Sequence, residues 1–343
     1  MLKVVIALIL INVFTTGYAE GIQGRQPNAS VDAKGVIRMA YGMGESIYCV
    51  SSKNNGLTFS EPALVAKLPG MHLGHSRGPE IASSRNYSVI TAIDKRGVIH
   101  SYSLSHVKNQ WKELGTVNDH PGSAEEGLMA LTADKEDNFY ATWLDIRLDK
   151  MNNIFFSSVK GNSLKWTKNT LVYKSPDKHV CECCKPNIAV AGNHVVVGFR
   201  NWLAGSRDIY YALSSNKGKT FSAPKKSGSG TWHLNACPMD GGGLAINQAG
   251  VVSTAWRRNT EVYYWSGKGR EKKVSSGRDV AMAQSKSGAL IAWQENSAIK
   301  VFDTAKNATL VLGKGISPKV YALPNGRSLC VWEDTKTIRY RVI

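Results

Sequence analysis

The sequence is short of acidic residues and has no helical pattern. Asp and Glu number 26 against 43 Lys and Arg, for a formal charge of +17. Nowhere do apolar residues recur at the three-and-four spacing of an amphipathic helix. That removes helical bundles and alternating α/β folds from consideration. Past the N-terminal segment no apolar run approaches the roughly 20 residues that a spanning helix needs, so no membrane span is expected. The chain has no low-complexity tract, and its 43% hydrophobic content excludes a disordered one. Its 32 glycines lack the strict three-residue period of collagen. No glycine-rich phosphate loop opens a helix. No basic run is interleaved with aromatics and there is no recognition helix, so nothing but charge speaks for nucleic acid and none is expected as a partner. The charge itself implies an anionic partner. Its sign alone does not choose among nucleic acid, acidic headgroups and an acidic small molecule or glycan.

What is present begins with residues 1–19. Lys3 supplies a positive start, Val4 to Phe14 form an apolar stretch interrupted only by Asn12, and Gly17-Tyr18-Ala19 provides small residues for cleavage. This reads as a signal peptide, with a secreted or periplasmic product and a single domain over 20–343. The stretch is too short for an uncleaved anchor. Its removal takes away only Lys3, so the positive charge belongs to the folded part. Export permits disulfides.

The chain repeats itself. An apolar β-branched residue is followed twelve positions later by an aromatic at Ile47 to Phe59, Ile99 to Trp111, Ile154 to Trp166 and Ile209 to Phe221, and the starts lie 52, 55 and 55 residues apart. Alternating strands precede these starts, as at Val36 to Tyr41 and Asn138 to Trp143, and the strand pair recurs three more times through Trp256, Trp293 and Trp332. Seven repeats of about four short strands predict an all-β chain, a β-propeller of seven blades of four-stranded antiparallel sheets, with six as the alternative. The last blade needs a strand from the N-terminus to close the ring.

The turns Ser52-Lys53-Asn54-Asn55-Gly56-Leu57-Thr58-Phe59 and Ser214-Ser215-Asn216-Lys217-Gly218-Lys219-Thr220-Phe221 resemble the Asp-box, Ser-x-Asp-x-Gly-x-Thr-Trp, of the sialidase-like (BNR-repeat) propellers. Asn stands for Asp and Phe for Trp in both. The resemblance implies a propeller in which this turn is structural, occurring in catalytic and non-catalytic members alike. It also implies an Arg-x-Pro at the first inner strand, matched by Arg25-Gln26-Pro27 and again by Arg77-Gly78-Pro79. Sialidases clamp a substrate carboxylate with three arginines, a task suited to planar guanidinium forks. Arg25, Arg77, Arg147, Arg200, Arg207, Arg257 and Arg258 are the substrate-binding candidates. The family's first-blade Asp acid/base is absent here, because the turn reads Tyr41-Gly42-Met43-Gly44-Glu45. The late tyrosines Tyr263, Tyr264 and Tyr340 fall within strands rather than loops, which leaves the family's Tyr nucleophile unmatched. Asp145 and Glu126 are the acid/base candidates for a hydrolytic site, although Asp145 and Arg147 also suit a simple pair across their turn.

In a four-stranded meander the links between blades and the turns between second and third strands emerge on one face, opposite the Ser-x-Asn turns. Arginine and histidine concentrate on that face, where loops build a concave site. It also receives His179-Val180-Cys181-Glu182-Cys183-Cys184 ahead of blade 4 and His233-Leu234-Asn235-Ala236-Cys237-Pro238-Met239 ahead of blade 5. One reading is a disulfide from Cys181, Cys183 or Cys184 to Cys237, stapling the blades. The other is a soft-metal site for copper or zinc, built from these cysteines with His179, His233 and Met239, the thioether favouring copper. Cys49 and Cys330 lie in strands of blades 1 and 7, as buried thiols or as a bridge across the ring closure. The expected function is to bind or act on an acidic glycan or other small anion, by hydrolysis of a terminal acidic sugar or without catalysis. No cofactor is required in that reading, copper serves the alternative, and the chain is expected to be a monomer.

Overall fold

The computed structural model describes residues 21–163 and 165–343, so the signal-peptide expectation for 1–19 lies outside the described residues. Strands form seven four-stranded antiparallel sheets, and no helix occurs among the described residues. Six sheets run in chain order; the first contains Arg25–Val31, Ile37–Met43, Ser46–Ser52 and Ala63–Lys67. The seventh takes Ile316–Ala322, Ser328–Asp334 and Thr337–Val342, and adds Ile22–Gln23 as its outer strand, with Ile22 opposite Ile338. The ring is thus seven-bladed and closed by a strand from the N-terminal side. Each blade keeps a short outer edge strand, as propellers do.

Alternation dictates the packing. In each second strand one side chain in two points into the gap between blades. Near the ends of these strands Tyr41, Trp143, Phe199, Trp256, Trp293 and Trp332 are all at most 3% exposed. The core is therefore a set of interblade layers. The largest, between blades 2 and 3, gathers 14 buried residues around Phe139 and Trp143, whereas the layer between blades 4 and 5 holds only Ala191, Val196, Ile246 and Val252.

The two Ser-x-Asn turns fold alike. Gly56 N donates to Ser52 Oγ at 2.9 Å and Thr58 N to Asn54 Oδ1 at 3.1 Å; Gly218 N donates to Ser214 Oγ at 2.9 Å and Thr220 N to Asn216 Oδ1 at 3.0 Å. Gly56 and Gly218 have φ of 83° and 84°, a left-handed conformation that glycine adopts without a Cβ penalty. A Cβ on Gly218 would lie 2.3 Å from the Phe156 ring. Phe59 and Phe221 pack edge-on against Tyr340 and Phe156. Asn thus supplies the acceptor oxygen that Asp would, and its Nδ2 also donates to the Thr58 and Thr220 hydroxyls at 2.8 and 2.9 Å.

Cys49 and Cys330 are buried free thiols in separate interblade layers, so the bridge considered across the ring closure does not form.

Candidate functional site

The inner strands surround an axial pocket of about 200 Å³ on the face opposite the Ser-x-Asn turns. Every blade contributes to its wall, because each inner strand enters from a blade link on that face. Blade 7 supplies Ser317, Lys319 and Tyr321, the link into blade 4 Lys185, and blade 2 Glu80. Blade 1 adds Gln26 and Asn28, blade 6 Asp279, and the link into blade 5 Met239 and Asp240.

Backbone conformation marks this rim. Gln26, Ser76, Met239, Asp279 and Ser317 all line the pocket with φ between 52° and 58°. Non-glycine residues in the left-handed region carry strain, which gathers where surrounding structure fixes a ligand site. In blades 1, 6 and 7 it accompanies a β-bulge at the start of the inner strand. Bulges re-aim side chains, and here they turn the strand entries toward the axis.

The polar groups divide into held and free. Lys185 Nζ lies 2.5 Å from Glu80 Oε1, which also accepts from Asn28 Nδ2 at 3.1 Å. Buried Asp240 accepts from the amides of Asp279 and Gly242 at 2.8 and 3.2 Å, and burial holds its carboxyl above the usual range. His75 Nε2 lies 3.0 Å from the Met239 carbonyl oxygen and 3.4 Å from Asp279 Oδ1. Tyr321 Oη accepts the Ala29 amide at 2.9 Å, and burial raises its phenol. Ser317 Oγ is buried without a partner. Lys319 has no ion-pair partner among the described residues. Desolvation, and then the charge of Lys185, push its ammonium down from 10.5 to about 8.

The sequence-predicted arginines stand around this pocket, and none of the seven lines it. Arg25 lies 3.6 Å from buried Glu333, and Arg77 donates to the Glu126 carbonyl at 2.5 Å. Arg147 is bonded to Asp145 and Asp119. Arg200, 1% exposed, donates to the carbonyls of Asp240, Arg207 and Arg257. Arg207 lies over the Trp202 ring and Arg257 over Trp232, while Arg258 pairs with Glu271 at 2.8 Å. The guanidinium groups are spent on holding loops to loops. Asp145 is fully buried and accepts from Ser123 Oγ, Trp143 Nε1 and three nitrogens of Arg147. The simple pair across the turn is therefore present. Glu126 lies 3.4 Å from Arg77, and neither carboxylate lines the pocket.

Beside the pocket, Cys183 is disulfide-bonded to Cys237, 54 residues on, joining the links into blades 4 and 5. This staple crosses the layer with the fewest buried apolar residues. Cys181 and Cys184 are buried free thiols with their sulfurs 3.3 Å apart. The hydrogen bond with Cys184, then the Arg207 and Arg200 charges, lower Cys181; burial raises Cys184. Arg207 Nη1 donates to Cys181 Sγ at 2.9 Å. The sulfurs of Cys181, Cys183 and Cys184 lie within 4.8 Å of one another. The remaining metal-ligand candidates are placed elsewhere. His179 stacks on Trp202 and its Nδ1 lies 3.4 Å from Glu182, His233 is exposed, and Met239 is 36% exposed on the pocket rim.

No protein family and no curated protein matches the sequence. Solved structures do match it in fold. A SapL1 lectin in complex with alpha methyl fucoside aligns with TM-score 0.56 and 10% identity over 87% of this chain and 98% of that one. The Hadza microbial sialidase Hz136 aligns with TM-score 0.53 and 10% identity over 94% of this chain and 66% of its own. The chain shares with both a β-propeller fold. A PL25 polysaccharide lyase, an ulvan lyase bound to -[GlcA(1-4)Rha3S]-, aligns over 96% and 95% of the two chains with TM-score 0.54 and 10% identity. At such identity the likeness is one of fold.

Reasoning from sequence placed the blade links, and with them Met239, on the pocket's face, but did not single out Lys319, Tyr321 or Asn28. These project from inner strands rather than loops. The one signal was a lysine directly preceding the apolar Val320-Tyr321-Ala322 segment.

Proposed function

We propose that this propeller binds an acidic sugar in its axial pocket, without hydrolysing it. The observation that carries the reading is Lys319: an ammonium without an ion-pair partner, desolvated enough to titrate at about 8, beside the partnerless hydroxyl of Ser317. A carboxylate or sulfate placed against Lys319 supplies an opposite charge that offsets its lost hydration. Gln26, Asn28 and Tyr321 supply hydrogen-bonding groups for sugar hydroxyls. The volume of about 200 Å³ admits one monosaccharide unit rather than a chain segment. Carbohydrate as the ligand class is in keeping with the lectin, lyase and sialidase that share the fold.

A binding role is favoured over two-carboxylate hydrolysis because a retaining or inverting glycosidase of that kind needs two carboxyl groups facing the sugar with free proton-transfer positions. The pocket's Glu80 is tied to Lys185 and Asn28, and Asp240 to backbone amides. Calorimetric titration with glucuronate and N-acetylneuraminate, against glucose and galactose, tests the reading. Saturable binding of an acidic sugar, lost in Lys319→Gln, is expected. Binding of neutral sugars alone, or turnover of a fluorogenic sialoside, would overturn it. A soft-metal role for Cys181, Cys183 and Cys184 rests on their proximity and requires Cys183 to be released from Cys237. Copper analysis of the protein with and without reductant tests that second reading.

A further inference from the structure

We propose that Cys181, Cys183, Cys184 and Cys237 form one thiol–disulfide exchange centre, in which a buried dithiol moves the exposed interblade disulfide inward. Three features of geometry carry this. Cys181 Sγ lies 3.7 Å from Cys183 Sγ, a member of the disulfide, and 3.3 Å from Cys184 Sγ. Arg207 Nη1 donates to Cys181 Sγ at 2.9 Å, with the Arg207 side chain only 7% exposed, so a thiolate at Cys181 has a fixed cationic partner. Reactive cysteines occupy such electropositive surroundings. Cys49 and Cys330 feel Arg38 and Arg341 only at a distance, with no guanidinium bonded to the sulfur among the described residues, and burial raises both thiols. Third, the four sulfurs differ in access: Cys181 and Cys184 are buried, Cys183 is partly buried and Cys237 is exposed.

The chemistry balances without an added oxidant. The Cys181 thiolate attacks Cys183 Sγ, the Cys181–Cys183 bond forms, and Cys237 leaves as a thiolate that takes up the proton lost from Cys181. Cys184 then attacks Cys181 Sγ in the same way, and Cys183 leaves. One disulfide exists before and after; it has moved from Cys183–Cys237 to Cys181–Cys184. Exchange of this kind proceeds through attack of a thiolate along a short sulfur-to-sulfur approach. Its structural consequence is the release of the staple between the links into blades 4 and 5. Those links carry Lys185 and Asp240 into the axial pocket, and Asn187 Nδ2 donates to the Gly241 carbonyl across the same junction at 3.1 Å. The centre therefore sits where its state reaches the pocket wall, and it stands independently of what the pocket binds.

Native protein without reductant is treated with N-ethylmaleimide, acid-quenched and mapped by peptide mass. Exchange predicts labelling of Cys237 in the wild type, lower by at least about tenfold in Cys181→Ser, where the first attack is impossible. Cys184→Ser keeps the first step, so it labels Cys237 and accumulates the Cys181–Cys183 linkage. Far-ultraviolet circular dichroism verifies that both variants are folded. Should Cys181→Ser fail to fold, the Cys184→Ser linkage decides the matter alone. Absence of Cys237 labelling in the wild type, equal labelling in folded Cys181→Ser, or no Cys181–Cys183 linkage in Cys184→Ser would overturn the proposal.

Discussion

Affinity for an acidic sugar should fall as pH rises through 8, because only the protonated form of Lys319 attracts the anion. The amine titrates at about 8 rather than 10.5. When one protonation state binds, the apparent dissociation constant is the intrinsic one divided by the fraction in that state. That fraction is about 0.9 at pH 7 and about 0.09 at pH 9 for such a group, a loss of roughly tenfold or about 1.4 kcal/mol. A lysine titrating at 10.5 would change by less than about 1.1-fold over the same interval. The stability of the empty protein moves in the opposite sense. Between pH 8 and 10.5 the unfolded chain keeps a proton that the folded protein has shed, so stability rises with pH across that window. The drop from 10.5 to about 8 bounds this gain at about 3 kcal/mol, and water at the pocket mouth reduces it. Two measurements follow: calorimetric affinity for glucuronate at pH 7, 8 and 9, and urea unfolding over pH 7 to 10.5 for wild type and Lys319→Met. The difference between the two proteins isolates the lysine. Affinity unchanged between pH 7 and 9, or unfolding curves that stay parallel with pH, would refute the argument.

Asp145→Ala leaves Arg147 beside Phe155 without its buried carboxylate and strands the Trp143 and Ser123 donors, so it should destabilise by about 3–5 kcal/mol in urea unfolding. Gly218→Ala places a Cβ against Phe156 at a φ of 84° and should cost at least about 1 kcal/mol, visible as a lower melting temperature. Asn54→Asp keeps the oxygen that accepts the Thr58 amide and replaces the Nδ2 donation to Thr58 Oγ1 by donation from that hydroxyl, so it should change stability by less than about 0.5 kcal/mol in urea unfolding. Cys237→Ser removes a crosslink across a 54-residue separation, and chain entropy puts the loss near 4 kcal/mol by the same unfolding assay.

The propeller was legible because its determinants are local and repeated. The spacing from Ile47 to Phe59 recurs, and each second strand ends in a large aromatic or its equivalent. The outer strands were harder to read: Ala63–Lys67 and Ala308–Lys314 are mostly exposed, so no buried face imposes alternation on them. The inner strand Arg278–Gln284 was missed because, flanking the axial channel, it is only partly buried. The site was less legible for a related reason. Seven arginines on one face suggested an anion clamp, yet sequence position cannot say that Arg200 points at three carbonyls or that Arg258 meets Glu271. Conversely, the sequence alone did not single out Lys319, because only ring closure converts the inner strand of blade 7 into a pocket wall.

The choice of lysine over arginine on the axis has a physical logic that the arginine distribution makes visible. A guanidinium carries five donors in a rigid fork and stays charged even when buried, so it suits fixed positions where several carbonyls converge, as around Arg200. An ammonium has a compact charge on a flexible stem and gives up its proton when desolvated without a partner. In an empty pocket Lys319 can relax toward neutrality, which limits the penalty of leaving a buried charge unpaired, and an arriving anion draws the proton back. The charges of Glu80, Asp279 and Glu333 favour its protonated form, but Lys185 already holds the Glu80 carboxylate at 2.5 Å and none of the three pairs directly with Lys319. Lys185 is thus both a wall of the pocket and the reason that its neighbour stays free. It follows immediately after Cys184, on the segment that Cys183 ties to blade 5, where the apolar layer is thinnest. Positioning of the Glu80 pair therefore depends on that crosslink as well as on the Asn187–Gly241 hydrogen bond, so loosening the crosslink should weaken anion binding before it unfolds the ring.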